Sequence, residues 1–409
     1  MRPILTNRSF VFLWFAGLAE QLTWWMLHTA ILLLVFERTG SAFGTGLIPV
    51  FSSLPAILFG AVAGRIVDGF DRRQVMRWGS VAMLALLVVA LPFAHATPAI
   101  GLYAFIVLQS AVMTVMSPAE NALLPTLVDV EHLKTANALN VLNDGFGRIL
   151  GPAVGAWLLV RSGPTSLVAI SLVLTAVGWG LLTAMPPLAP RADRERVDLR
   201  ATGPTGIVAS LRDQGQLARR ILIAGGPLAT IIITFLLYMV GDVPFTAVIP
   251  AFFTDSLHTT TEEFGFMLSL RGVVGILGGV LIAAIARSPR VSSRGLLMAG
   301  LAGYGFAMAI QGVINDFQIG LWFLIVVGPA AAAIQTGMNT MLQEASPDDE
   351  RGRVFALVGT LAGLVTITMS FSAGAIADVV GTRPVVIAAG MLQILPVLVL
   401  MRSRTPTMT

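Results

Sequence analysis

The sequence predicts an all-α membrane protein of twelve transmembrane helices, built as two pseudo-symmetric six-helix bundles. Three observations predict it. Twelve hydrophobic runs of roughly 20 residues or more follow one another along the chain, the length a helix needs to cross about 30 Å of hydrocarbon at about 1.5 Å per residue. Of the 409 residues, 56% are hydrophobic and 12% charged, with a mean hydropathy of +0.83; soluble domains are about a quarter charged. The basic residues collect in alternate loops.

The runs fall at 9–36, 43–67, 76–95, 98–124, 138–160, 164–187, 222–253, 261–286, 294–314, 318–343, 353–379 and 384–401. With the N-terminus inside, 21 of the 26 basic residues lie on the cytoplasmic side, from Arg2 and Arg8 through Arg65, Arg72, Arg73 and Arg77 to the central loop. Arg38, Arg161 and Arg383 fall outside, and Arg148 and Arg271 lie within spans. That bias sets the topology and leaves both termini cytoplasmic. The first run is too long for a cleavable signal and continues as a span. Many of the 41 Gly and 22 Pro sit inside apolar runs, where transmembrane helices tolerate them.

Composition also excludes function classes. Without Cys there is no disulfide, thiolate metal site or Cys nucleophile, and the four scattered His have no metal-ligand spacing. No metal and no cofactor is expected. The net charge of +4 is not gathered into a nucleic-acid-binding surface. No nucleotide-binding loop or hydrolase elbow appears, so an enzyme is not expected. Twelve spans without a large soluble domain leave little room for functions other than moving solutes.

The chain divides into an N-terminal bundle, 1–187, a linker, 188–221, and a C-terminal bundle, 222–409. The linker stretch PRADRERVDLRATGPTG has no apolar face, and Ile207 to Arg220 reads as an amphipathic helix on the inner surface. At a constant offset of 218, Asn121 matches Asn339, Leu124 matches Leu342, Ala138 and Leu139 match Ala356 and Leu357, Gly145 matches Gly363, and Arg72 matches Arg290. A parallel duplication of this kind encloses a midplane site with alternating access.

The loop after span 2 reads Gly64-Arg-Ile-Val-Asp68-Gly-Phe-Asp71-Arg72-Arg73. It resembles the signature loop of the major facilitator superfamily at Gly64, Asp68, Arg72 and Arg73, and departs from it at Gly69 and Asp71. Gly64 would allow close helix approach. Asp68 would face the positive N-terminus of span 11, with Arg351 and Arg353 as partners; the resemblance implies a cytoplasmic latch that holds the outward-open state. The bland alternative is that Arg72 and Arg73 only serve the charge bias. In span 5, Gly147, Gly151 and Gly155 form a small-residue stripe beside Pro152, suited to close helix packing. It resembles the span 5 signature of drug exporters in this superfamily, with Ala138 and Ala156 in place of two glycines.

Two further segments, Ser117 to Pro125 with Ala136 to Leu139, and Gln343 to Val354, are similar to the branch holding macrolide-efflux and enterobactin-exporter-like proteins. Gly374-Ala-Ile-Ala-Asp378 before Gly381-Thr-Arg-Pro384 fits the same branch. The resemblance covers the whole chain and implies the major facilitator fold.

An ionisable group in hydrocarbon costs at least about 2.5–3.5 kcal/mol on insertion scales, so each is a functional candidate. Glu20 lies near the middle of span 1, with Thr23, Trp24 and His28 in one sector of the helix. Glu120 is on span 4 and Asp242 on span 7; in the fold this chain resembles, spans 1, 4, 7 and 10 line the cavity. The 218 offset carries Glu20 to Tyr238, one turn from Asp242. A cavity acid that wets and dries would bind and release a proton; the alternative is a paired, structural role. Asp144 and Arg148 share a face of span 5, and Arg271 sits near the middle of span 8. They form a candidate interdomain charge network or substrate site.

The expectation is a secondary-active transporter, exporting amphipathic small molecules of drug or siderophore type against a proton gradient. Its partners are the bilayer, the substrate and protons, not nucleic acid. It would act as a monomer in the bacterial cytoplasmic membrane. An importer or uniporter of a small polar metabolite is the alternative; a non-transporting sensor with the same fold is more remote.

Overall fold

The computed structural model describes residues 6–96, 98–186, 204–288, 291–347 and 350–403, and the regular structure among them is helical throughout. In chain order the helices are α1 Arg8–Thr39, α2 Ala42–Gly69, α3 Arg72–Ala90 and α4 Ala99–Leu123. A continuous segment Leu133–Ala184 follows, broken at Gly163 into α5 and α6. The rest are α7 Pro204–Ala224, α8 Gly226–Ala251, α9 Thr261–Ala286, α10 Ser293–Gln311, α11 Phe317–Ala345, α12 Arg351–Val380, α13 Thr382–Leu392 and α14 Ile394–Arg402.

Among the described residues, ten helical segments are long and apolar enough to cross a membrane. One of them, Thr135–Ala184, is 50 residues long and bends at Gly163, so it supplies two crossings; α10 has 19 residues and packs along α11. This is consistent with twelve spans. The break needs glycine: Gly163 has φ 76°, and Pro164 follows without an N–H to continue the ladder. Polar caps start other helices. Asp71 accepts from Gln74 N–H at α3, Ser292 from Gly295 N–H at α10 and Asp316 from Ile319 N–H at α11.

Two boundaries differ from expectation. The last span, expected unbroken over 384–401, is divided at Gln393 into α13 and α14. The expected span 222–253 begins at Gly226, because 222–224 still belong to α7. A turn at Gly225 and Gly226, φ 64° and 82°, separates the two helices. The amphipathic linker helix is present as α7, with Leu217 and Ile221 buried one turn apart and Arg212, Asp213, Arg219 and Arg220 exposed. The charged stretch 187–203 lies outside the described residues.

The chain forms two compact units. The first comprises residues 1–38, 51–207 and 261–269; the second comprises 39–50, 208–260 and 270–409. In the first, two apolar clusters share α1. Phe10, Leu13 and Ala16 join Val75, Met76, Leu123 and Leu182 in one. Met26, Leu27 and Ala30 join Met83, Leu87, Leu158 and Leu167 in the other. Glu20 and Thr23 lie between them on the same helix. In the second, α8 packs against α12 and α13, and α10 against α11 and α13. Many large apolar side chains face outward, among them Val89, Trp322 and Val379, as surfaces in contact with lipid tails do.

Candidate functional site

The acid of the first unit sits inside its helix bundle. Glu20, on α1, accepts a hydrogen bond from Ser80 Oγ on α3 at 3.3 Å. Glu20, Thr23 and Trp24 line a small chamber with Ser80, Gln109 from α4 and Thr175 from α6; methionines 83, 113 and 116 complete its wall. Thr23 and Gln109 are 2% and 0% exposed, and among the described residues Thr23 Oγ1 and both polar atoms of the Gln109 amide have no hydrogen-bond partner. Trp24 stacks on His28, with ring centroids 5.7 Å apart.

Glu120 packs beside the same helix. Gly17 leaves the room: a Cβ there would stand 2.6 Å from Glu120 Oε1 and 3.0 Å from Asn143 Nδ2. Asn140 hydrogen-bonds Glu120, and Asn143 donates to Trp14 O at 2.9 Å. Gly17 stands one turn before Glu20, so the two carboxyl groups act on each other.

The acid of the second unit is built differently. Tyr304, on α10 and 1% exposed, donates its hydroxyl to Asp242 Oδ1 on α8 at 2.6 Å. Arg271 Nη2, on α9, donates to the same hydroxyl at 3.2 Å, and its guanidinium stands 6.0 Å from the Phe245 ring centre. Tyr238 also hydrogen-bonds Asp242, and its ring lies 6.1 Å from that of Tyr304. A common plan connects the units: each acid is on the first spanning helix of its sequence half and meets a hydroxyl from the third. Ser80, Gln109 and Tyr304 were not among the sequence candidates. Tyr304, one of three tyrosines and set in a glycine-rich apolar run, carried the one signal that could have drawn notice.

Asp144 and Arg148, which share a face of α5, form an ion pair, Nε to Oδ2 at 2.7 Å. Trp25 joins them, its Nε1 donating to Asp144 at 3.3 Å and its ring centre 4.9 Å from the guanidinium. These residues belong to the first unit and Arg271 to the second. The span 5 glycines are a seat for α1. A Cβ at Gly147, Gly151 or Gly155 would stand 2.4–2.8 Å from atoms of Trp25 or Met26. On the same helix, Pro152 and Ala156 crowd Gly265 of α9, and Ser269 Oγ accepts the Ala153 N–H at 2.9 Å.

The signature loop has a local role. Arg73 donates to the carbonyls of Leu182, Thr183 and Pro186 at 2.9–3.1 Å, and Arg72 to Ala122 O at 2.6 Å. Both arginines thus satisfy the orphan carbonyls where α6 and α4 end. No described atom comes within 4 Å of a Cβ placed at Gly64, so the close approach expected there is not found. The side chains of Asp68 and Arg351 lie outside the described residues, and with them the expected latch. Arg353 grips both oxygens of Asp213 on α7 at 3.0 Å and lies 3.9 Å from Glu350. Asp129, Glu131 and His132 bring possible metal-ligand atoms within 4.8 Å of one another, but on an accessible loop with none of the three buried.

The sequence pattern of the Major Facilitator Superfamily matches residues 13–358 and, in an overlapping match, 230–408. The chain is 24% identical over 397 residues to macrolide efflux protein A of Streptococcus pyogenes, covering 94% of this chain and 93% of that protein. It is 26% identical over 389 residues to the multidrug efflux pump Tap of Mycolicibacterium fortuitum, covering 88% and 86%. Among solved structures, a D-xylose–proton symporter superposes with a TM-score of 0.73 at 16% identity, covering 97% of each chain. A POT family transporter in complex with 5-aminolevulinic acid gives 0.76 at 11% identity, covering 97% and 96%.

Proposed function

The chain belongs to the Major Facilitator Superfamily, and from that premise we propose that this transporter is a proton-coupled exporter of amphipathic small molecules. It works by alternating access in the bacterial cytoplasmic membrane, as a monomer with both termini in the cytoplasm. One observation carries the reading: each unit holds an acidic side chain among spanning helices, with a hydroxyl as a hydrogen-bond partner. A carboxyl group in a dry interior keeps its proton, and a wetted one gives it up. An acid that is wetted first from one side and then from the other carries a proton inward while substrate moves outward.

The two acids are not equivalent. Asp242 has the Arg271 guanidinium one hydroxyl away, so its charge has a partner inside the unit. Glu20 has Ser80 and, as its charged neighbour, another acid. Glu20 is therefore the proton carrier, and Asp242 with Tyr304 and Arg271 is the charge-balanced counterpart. The stacked Trp24 and His28 offer flat surfaces to an amphipathic substrate. Export direction and substrate class are supported by relatives named for macrolide and multidrug efflux.

The test is flux in proteoliposomes under an imposed pH gradient, with macrolides, siderophores and lipophilic cations as the first panel. Glu20→Gln is expected to abolish gradient-driven flux and Asp242→Asn to impair it. Equal wild-type flux without a gradient would rule out antiport. Undiminished flux in both variants would rule out the acids as its agents.

A further inference from the structure

The chamber around Glu20 has a property that proton carriage alone does not use. It is about 10 Å³ in volume, close to the least room that holds one water molecule. Its polar lining is oxygen-bearing side chains from four helices: Glu20 and Thr23 from α1, Ser80 from α3, Gln109 from α4 and Thr175 from α6. Thr175 donates its hydroxyl hydrogen to Ser171 O at 2.8 Å, so towards an occupant it can only accept. Thr23 and Gln109 are buried, with no hydrogen-bond partner among the described residues for Thr23 Oγ1 or for either polar atom of the amide. Buried polar atoms of native proteins are nearly always satisfied, so the chamber calls for an occupant that oxygen atoms can hold.

Charge decides what that occupant is. Glu120, from α4, is the titratable group that acts on Glu20; α3 brings Ser80 and α6 brings Thr175, neither of which titrates. On α1 itself, His28 lies two turns away, stacked on Trp24. Among the described residues no basic side chain forms an ion pair with Glu20 or Glu120. Once Glu20 has given up its proton, the carboxylate left in such a place needs a cation beside it. A water molecule fills the space but supplies no charge. One carboxylate among neutral oxygens matches a single positive charge, and an all-oxygen donor set matches a hard cation. Calcium takes six to eight oxygens at a site, as a rule with more than one carboxylate.

We propose that the chamber is a binding site for a small monovalent cation, Na+, held by Glu20, Thr23, Ser80 and Gln109 in competition with the proton. The inference rests on the reading of Glu20 as the coupling acid and adds a second ion that this acid can carry. Protonation of Glu20 removes the charge that holds Na+, so the two ions exclude each other. The methionine thioethers form the apolar part of the wall.

The test uses the purified full chain in detergent, titrated with NaCl against choline chloride at constant ionic strength, following tryptophan fluorescence and thermal unfolding. Trp24 lines the chamber and reports its filling. At about pH 8 a saturable, Na+-specific change is expected, and at about pH 5, where carboxyl groups in dry surroundings hold their protons, it is expected to vanish. Glu20→Gln is expected to abolish it, and Thr23→Val and Gln109→Leu, which keep the acid, to weaken apparent Na+ affinity about tenfold or more, the equivalent of about 1.4 kcal/mol. No Na+-specific change at the higher pH, or a change that survives in Glu20→Gln, overturns the site. Stabilisation by Ag+ and not by Na+ overturns it too, in favour of a thioether site. If Na+ has no effect while pH-driven flux still requires Glu20, the cation site fails and the exporter reading stands. If Glu20→Gln transports like wild type, that reading falls as well.

Discussion

Asp378, near the end of α12, accepts the backbone N–H of Ala42, the first residue of α2, at 2.7 Å. Ser41 Oγ donates to the other carboxylate oxygen, and Phe43 N–H reaches Oδ1 at 3.3 Å. An acid from one helix thus caps the N-terminus of another, where orphan N–H groups and the helix dipole favour negative charge. The helices can approach because Gly374 and Gly46 lack side chains; a Cβ at Gly374 would stand 2.7 Å from Phe43 Cα. Asp378→Ala is expected to cost about 1 kcal/mol, as loss of a capping side chain does. Gly374→Val is expected to cost more, because backbone and not a flexible side chain blocks the added group. Thermal unfolding of the two variants in detergent measures the order, and a milder effect from Gly374→Val would contradict it.

The hydroxyl of Tyr304 serves two masters, Asp242 at 2.6 Å and Arg271 at 3.2 Å. Tyr304→Phe keeps the ring and removes the link. A buried acid and a buried base each lose a partner, so a loss of about 1–3 kcal/mol is expected. In the Asp242→Asn background the same change is expected to cost less, since the three side chains form one network. A double-mutant cycle on unfolding free energies reads this directly; strict additivity would mean that the hydroxyl does not couple them.

These two sites show what the sequence makes legible. Span lengths are set by bilayer thickness, so composition alone locates the helices, and an acid inside a span stands out by its cost. Glu20, Asp242, Asp144 and Arg148 are therefore visible as candidates, though which acid meets which arginine is not. Ser80, Gln109 and Tyr304 are not visible, because one hydroxyl or amide in an apolar helix costs little and its direction depends on packing. The span 5 glycines announced close packing but not their neighbour, which is Trp25–Met26 of α1. The described carboxylate partners of Arg353, Asp213 and Glu350, were not among the sequence candidates. The docking register of α7 leaves no local pattern in the chain.

Glycine positions that look alike in sequence are predicted to differ in tolerance. A Cβ at Gly151 would stand 2.4 Å from Trp25 Cβ and 3.1 Å from the Met26 backbone nitrogen, whereas at Gly64 and Gly275 nothing described lies within 4 Å. Gly151→Leu is expected to destabilise by about 1–3 kcal/mol or more through overpacking. Gly275→Ala is expected to leave the unfolding temperature within about 2 °C of wild type, since its Cβ meets no described neighbour. Equal losses at both positions would show that the α1–α5 seat is not the tight one.

The linker helix α7 is tied to the start of α12 by charge. Arg220 donates to Glu350 at 2.5 Å, and Arg353 bridges Glu350 and Asp213. The Arg220 hydrogen bond, with the charges of Arg220 and Arg353, holds Glu350 below the ordinary glutamate range. A carboxyl group whose pKa falls on folding adds stability above its unfolded value and loses it as the pH drops through the folded one. The anchor should therefore be intact at neutral pH and weaken as the pH falls below about 4, the ordinary carboxylate range. These side chains are accessible to solvent, so added salt is expected to loosen the same contact. Hydrogen exchange of the α7 amides provides the measurement. Faster exchange is expected at low pH, after correction for intrinsic rates, and in Arg220→Gln and Arg353→Gln at neutral pH. Protection that ignores pH, salt and both substitutions would assign the docking of α7 to Leu217 and Ile221 alone.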